Sequence, residues 1–170
     1  MAAFDELAAL AAHLSDASVD ALAGALQDPD RRWFFAGQGR SGLVAAMVAM
    51  RFMHLGWRSH VVGEATAPAV RAGDGLLVIS GSGSTPASVS WASRARAEGA
   101  TVAAVTHTDP SPIVQLADVV LRLPAQPSTQ LGGSLFEQAA LLVLDGIVTT
   151  LAQRLEDPHG GLARRHANLQ

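Results

Sequence analysis

The sequence predicts an α/β domain built on a parallel sheet with helices on both faces, and three observations carry that reading. Apolar runs and amphipathic stretches alternate five times along the chain, the order that produces strand–helix–strand crossovers. The run Gly75-Leu76-Leu77-Val78-Ile79 is apolar throughout, as in strands buried on both faces. Two of the runs empty into glycine-containing turns that open helices, and ligands of such sheets bind at the carboxyl ends of the strands.

Residues 3–26 are rich in Ala and Leu with spaced Asp and Glu, and Ser15-Asp16 divides them into two amphipathic helices, the N-terminal part of the domain up to residue 27. Asp28-Pro29-Asp30 breaks the pattern. Arg32 to Ala36 is a short apolar strand that runs into Gly37-Gln38-Gly39-Arg40-Ser41-Gly42, followed by a helix over Leu43–Leu55 that Gly56 ends. Ser59–Val62 reads as the second strand, closed by Gly63-Glu64, and residues 75–79 as the third. The turn Ser80-Gly81-Ser82-Gly83-Ser84-Thr85 comes next, then a helix over Pro86–Glu98 with Pro at the first position, where it costs least. Thr101–Thr106 is a strand, Ile113–Ala117 a short helix after Pro112, and Asp118–Leu123 the last strand. Pro124–Thr129 is a loop. Ser134–Leu155 is a long apolar helix, with Ser134 and Glu137 spaced as a capping box. Asp157–Gln170 reads as a polar, Gly-containing, basic tail. No linker or low-complexity tract divides the chain, so residues 1–170 are one domain.

Composition narrows the chemistry. The chain has 170 residues, 49% apolar and 16% charged, enough for a sizeable core. A net charge of −3 offers no basic footprint for nucleic acid. All twelve basic residues are Arg, and Lys, Cys and Tyr are absent. That excludes a Schiff-base lysine, a Walker-type lysine, thiolate chemistry and Cys-based zinc sites. Proton transfer therefore falls to His, Glu or Asp. The first ten residues carry Asp5 and Glu6 with no basic segment, unlike a signal peptide, and the apolar stretches are interrupted before a membrane-spanning length. A soluble, cytoplasmic chain is expected, with no membrane or nucleic-acid partner.

The turn over residues 80–85 is the strongest local signal. Ser80, Ser82, Ser84 and Thr85 alternate with Gly81 and Gly83 at the mouth of a helix. Glycine lets backbone N–H groups turn inward, the helix start adds positive potential, and hydroxyls donate the remaining bonds to an anion. A monophosphate fits, since no lysine is present to reach a triphosphate. The plainer reading is a Ser/Gly loop with a helix cap. Gly37–Gly42 matches G-x-G-x-x-G, and Glu64 stands 22 residues beyond Gly42, near where a ribose-binding acid sits in dinucleotide folds. Alternatively Arg40 and Ser41 of that turn face a sugar phosphate, or the glycines merely make a tight turn with Arg40 solvated.

Glu137 lies in the first turn of a strongly apolar helix. Such surroundings are the setting of a general base near neutrality, and the capping box would equally explain its spacing. His54, between Met53 and Leu55, has the place of a packed helix-end residue. His166, in Arg164-Arg165-His166-Ala167-Asn168, belongs either to a disordered tail or to an arm that docks on a neighbouring subunit. His13, His60, His107 and His159 lack metal-ligand spacing and are expected to be structural or exposed; no metal site is expected. Arg51 and Asp145 are polar residues inside apolar helices, suited to a subunit contact.

Taken together, these motifs resemble the sugar isomerase (SIS) domain family. The residues concerned are Gly37–Gly42, Met50-Arg51-Phe52-Met53-His54-Leu55-Gly56, Val62-Gly63-Glu64, Ile79–Gly83, Leu135-Phe136-Glu137, Leu144-Asp145-Gly146 and Arg164–Leu169. Within it, the chain is most similar to the 6-phospho-3-hexuloisomerases of the ribulose monophosphate pathway. The resemblance implies a five-stranded parallel sheet in a three-layer αβα sandwich, flavodoxin-like and doubly wound. It also implies a homo-oligomer, tetramer or dimer, with sites shared between subunits, and residues 157–170 contacting a neighbour. The implied reaction interconverts D-arabino-3-hexulose 6-phosphate and fructose 6-phosphate through an enediol, without metal or organic cofactor. Ser41, Ser80, Ser82 and Thr85 would hold the phosphate, with Gly39, Arg40, Gly81 and Ser84 around it. Glu137 would be the base, and His54 or a subunit-crossing His166 would move protons between oxygens. A functional link to a hexulose-phosphate synthase, in formaldehyde fixation or detoxification, follows at second remove. Two departures stand out. Ser84 replaces the family's usual Glu after SGSG, and Gly132-Gly133 replaces Pro-Met, which predicts a looser loop before Glu137.

Three other functions remain open on sequence. One is a non-catalytic sensor of sugar phosphates, which needs the turn but not Glu137. Another is a small dinucleotide-binding protein using Gly37–Gly42 and Glu64. The third is the same chemistry on an arabinose/ribulose 5-phosphate pair.

Overall fold

The computed structural model describes residues 2–169; Met1 and Gln170, the outermost residues of the predicted N-terminal helices and tail, lie outside the described residues. Five strands form one sheet: β1 (Trp33–Gly37), β2 (Ser59–Val61), β3 (Gly75–Ile79), β4 (Thr101–Thr106) and β5 (Val119–Arg122). All neighbours pair in parallel, in the order β2-β1-β3-β4-β5. The chain leaves β1 in one direction to make β2 and then returns past it to make β3. The two crossovers therefore diverge at β1 and β3, and a crevice opens at the carboxyl ends of those two strands. Both glycine-containing turns stand at that crevice.

The helices are α1 (Ala2–Ala11), α2 (Asp16–Leu26), α3 (Arg40–Leu55), α4 (Pro86–Ala97), α5 (Pro112–Leu116), α6 (Ser134–Ala152) and α7 (Pro158–Arg165). Alternate strand residues face opposite sides of a sheet, and two cores result. Trp33, Phe35, Leu77, Ile79, Val105 and Leu121 pack under α1, α2, α3 and α6. Phe34, Ala36, Leu76, Val78, Val102 and Ala104 pack under α4 and α5. The expected three-layer αβα sandwich with a five-stranded parallel sheet is what forms.

Several boundaries differ from expectation for local reasons. Helix α3 begins at Arg40, three residues early, because Gly39 adopts the left-handed φ of +57° and starts the helix itself. Helix α6 has Gly133, not Ser134, at its N-cap, and no side-chain cap. The Ser134 hydroxyl instead donates to the Leu131 carbonyl at 2.7 Å. The predicted capping box is absent, and Glu137 is left for another partner. At 19 residues α6 is also long and apolar enough for a membrane span, contrary to the reading that such stretches break earlier. Eight of its side chains are buried in the domain, which makes it a core helix. The predicted polar tail contains α7, whose N-cap Asp157 accepts the Gly160 N–H at 2.9 Å. It packs on α3, where Arg165 Nη1 donates to the His54 carbonyl at 3.3 Å.

Candidate active site

The first turn is set by backbone contact. A Cβ at Gly37 would stand 2.6 Å from the Ser41 carbonyl carbon and oxygen, and one at Gly42 2.7 Å from the Gly37 oxygen. Only glycine lets the strand exit and the helix entry meet so closely. Gly42 N–H and Leu43 N–H both bond the Gly39 carbonyl at 3.0 and 3.3 Å. Ahead of them, the amides of Arg40 and Ser41 lie at the helix start, where N–H groups have no intrahelical acceptor. Ser41 is buried beneath the turn and Arg40 is exposed above it.

The second turn is pinned by β4. The Gly81 carbonyl accepts from Thr106 Oγ1 (2.9 Å), Thr108 Oγ1 (3.1 Å) and the His107 N–H (3.3 Å). In the same trans peptide plane, the Ser82 N–H must point away from β4. Gly83 has φ +61°, and a Cβ there would sit 2.2 Å from Ser111 Oγ. Ser80 is buried, and its hydroxyl lies 3.5 Å from that of Thr85. Thr85 is the N-cap of α4 without capping it through its side chain, and the Ser80 hydroxyl is its hydrogen-bond partner. Ser84 bends back on Ser82, hydroxyl to hydroxyl at 3.2 Å and N–H to Oγ at 3.3 Å. Hydroxyls, one outward amide and the start of α4 are thus grouped in this turn, a set of donors of the kind that suits an anion.

Glu137 lies in the first turn of α6, next to Phe136, whose ring comes within 3.3 Å of where a Gly81 Cβ would be. The Glu137 side chain is 13% exposed, and Oε2 accepts from Arg40 Nε in a close ion pair. The partner missing from the capping box is therefore Arg40, which ties the start of α3 to the start of α6 across the crevice. His107, expected to be structural or exposed, is exposed and also stands in the site. Its Nε2 lies 3.0 Å from where a Gly81 Cβ would be, and its ring is 5.3 Å from that of Phe136. His107 and Phe136 line a cavity of about 170 Å³ with Gln126, Ser128, Gly132 and Gly133.

The loop before α6 is held by a residue that sequence reasoning overlooked. Glu6 accepts from Ser128 Oγ (2.8 Å), Thr129 N–H (2.9 Å), Thr129 Oγ1 (2.8 Å) and Gln130 Nε2 (3.0 Å). Hydrogen bonds led by the Thr129 backbone N–H push the Glu6 carboxyl down to about 2. Residues 128–130, just ahead of Gly132-Gly133, are thus tied to the first helix. Gly132 itself takes the left-handed φ of +56°.

His54 and His166 are brought together, but not to Glu137. Their rings stack at 5.5 Å and 9°. His54 is fourteen residues beyond Arg40 on α3, on the order of 20 Å along the helix. Within the chain, these histidines lie at the far end of α3 from Arg40. Arg51 and Asp145, expected at a subunit contact, pair with each other at 3.8 Å and are both partly exposed. Burial first, then the neighbouring His166 and Arg51, lowers the pKa of His54 below the usual imidazole value. The sign follows directly: below about pH 6.5 the unfolded chain takes up a proton at this position that the folded chain resists. Folding stability is therefore expected to decline as pH falls through that range. His54→Gln should flatten the decline, as read from urea unfolding midpoints between about pH 5 and 7.

Glu64, the candidate ribose acid, follows edge strand β2 and lines a separate cavity of about 240 Å³ with Phe34, Val70 and Trp91. Among the described residues, no three His, Asp or Glu side chains stand together as metal ligands would.

A family model described as "SIS domain" matches residues 26–146. The 3-hexulose-6-phosphate isomerase of Mycobacterium gastri is 44% identical over 98% of this chain and 87% of its own. That of Bacillus subtilis is 36% identical over 98% and 94%. A hypothetical protein from Methanococcus jannaschii, whose crystal structure is described as inferring a molecular function of 3-hexulose-6-phosphate isomerase, superposes with a TM-score of 0.89. The two are 30% identical, and 99% of this chain and 97% of that one are covered.

Proposed function

The chain belongs to the SIS-domain family, and on that premise we propose a working chemistry for its site. It is an isomerase of 3-hexulose 6-phosphate: relatives of that name share 33–44% identity with it over most of its length. The observation that carries the mechanism is the carboxylate of Glu137, held at the start of α6 and paired with Arg40 of the opposite turn. Its neighbour Phe136 packs beside Gly81 of the hydroxyl-bearing turn at the start of α4.

The substrate phosphate occupies a cradle on Ser80, Ser82 and Thr85, with Ser41 and Arg40 on its other side and Gly39, Gly81 and Ser84 shaping the walls. The open-chain sugar then extends towards α6. Glu137 takes the proton from C2; that C–H pair becomes the C2=C3 bond, and the C3 carbonyl oxygen gains a proton, giving the enediol. Loss of the O2 proton re-forms a carbonyl at C2, and Glu137 returns its proton to C3. One base suffices because both carbons present their protons on the same face of the planar intermediate. Arg40 leaves Glu137 for the phosphate as the substrate enters, so binding frees the base. His54 and His166 enter this chemistry only from a neighbouring subunit, in an oligomer that residues 157–170 help to build. No cofactor takes part. In the cell the reaction belongs in the cytoplasm, downstream of a hexulose-phosphate synthase in formaldehyde fixation or detoxification.

The direct test supplies 3-hexulose 6-phosphate formed in situ and follows fructose 6-phosphate through a coupled assay. Turnover is expected; a folded protein that produces none would sink the reading. Ser80→Ala in the same assay should raise KM with kcat little changed. A hydrogen bond to a charged group is worth about 1.5–3 kcal/mol, so the expected rise is about ten- to hundredfold.

A further inference from the structure

We infer that His107 is the group that moves protons between the two sugar oxygens, acting beside Glu137 within the same chain. The inference rests on the isomerase reading and deepens it. Glu137 accounts for the carbon-bound proton alone; an enediol step also needs one group to protonate O3 and deprotonate O2. The chain contains no Lys, Cys or Tyr, so an imidazole is the natural carrier near neutrality. His54 and His166 stack at the far end of α3. The Asp109 carboxylate is engaged by Arg122 Nε at 2.6 Å.

His107 is in the right place. It follows β4 directly, at the carboxyl edge of the sheet. Its backbone N–H bonds the Gly81 carbonyl, so the ring is positioned by the turn that holds the phosphate. Its Nε2 overhangs Gly81, and its ring leans on Phe136, the residue immediately before Glu137. A sugar running from the cradle to the start of α6 passes this ring. The exchange balances: a ring N–H passes its proton to O3 as the C2–H pair becomes the double bond. The ring then takes the O2 proton as the C2 carbonyl forms, and ends as it began. Phe136 and the Thr106 and Thr108 hydroxyls on Gly81 keep the ring at this height over the turn.

The test is steady-state kinetics of His107→Ala beside wild type, Glu137→Gln and His54→Gln, with thermal melts confirming that each is folded. His107→Ala is expected to lower kcat by about 10²- to 10⁴-fold, with KM within about threefold of wild type. Added imidazole should restore part of the rate, which a packing role on Phe136 would not allow. Turnover within about threefold of wild type overturns the inference, as does a loss that imidazole leaves unchanged. So does a loss confined to His54→Gln. If wild type turns over and Glu137→Gln does not, such results remove His107 alone. If wild type is inactive, the isomerase reading fails and takes the inference with it.

Discussion

Glu137→Gln is expected to lower kcat by about 10²- to 10⁴-fold, the usual contribution of a positioned general base, while leaving affinity for the sugar phosphate near that of wild type. The two effects separate because the structure separates the groups. The cradle is built from β3, β4 and the start of α4, whereas Glu137 arrives on α6 and touches the cradle's side of the crevice through Arg40. Gln keeps the volume and the hydrogen-bonding shape but cannot take a proton from carbon. It also releases Arg40 from its ion pair, so phosphate affinity should hold or rise slightly. Coupled-assay kinetics give the turnover, and a melting shift with fructose 6-phosphate gives the affinity. A variant that turns over within threefold of wild type would assign the base to another residue.

The largest loss of stability is expected from Phe52→Ala. Phe52 is fully buried on α3, with its ring 5.1 Å from Phe35 of β1 and 6.3 Å from Trp57. Its removal takes away apolar contact and leaves a cavity that rigid neighbours cannot close, a cost of about 3–5 kcal/mol. Domains of this size have total stabilities of about 5–15 kcal/mol, so at least about a fifth of the total is at stake. The urea midpoint should fall in proportion. Arg40 and Ser41 ride on the same helix, some three turns towards its start. The fraction that stays folded should therefore keep its KM for substrate, because the Gly37–Ser41 contact fixes that end independently. An unfolding free energy within about 1 kcal/mol of wild type would mean that α3 is not anchored through this ring.

What the sequence reveals of the site follows the range of the interactions. The glycines at 37, 39, 42 and 83 are legible because their constraint is local: a positive φ or a backbone approach within a few residues. Glu137 is legible as a carboxylate in an apolar helix, and the serines by their alternation with glycine at a helix mouth. The Arg40–Glu137 pair is not, since the partners are 97 positions apart and no periodicity links them; the nearby Ser134 offered a plausible local partner and misled the reading. His107 carries no spacing motif. Its one signal is its place immediately after an apolar strand, where this fold puts its ligands. Helix α7 escaped notice because Gly160 and Gly161 weaken helix propensity. The cap from Asp157 and the Arg165 contact with α3 supply what propensity lacks.

The grip of Glu6 on Ser128, Thr129 and Gln130 joins residues 122 to 124 positions apart, the first helix to the loop that leads into α6. Closing so long a loop is slow and entropically costly compared with winding a helix or pairing adjacent strands. A nascent chain emerging from the ribosome would have the glycine–serine turn after β3 and the β4 residues that pin it complete before α6 is synthesised. The site is therefore expected to mature in two stages, with sugar-phosphate affinity appearing first and turnover only once the first helix has caught the loop ahead of α6. A refolding experiment that follows both signals in time would see the second lag the first.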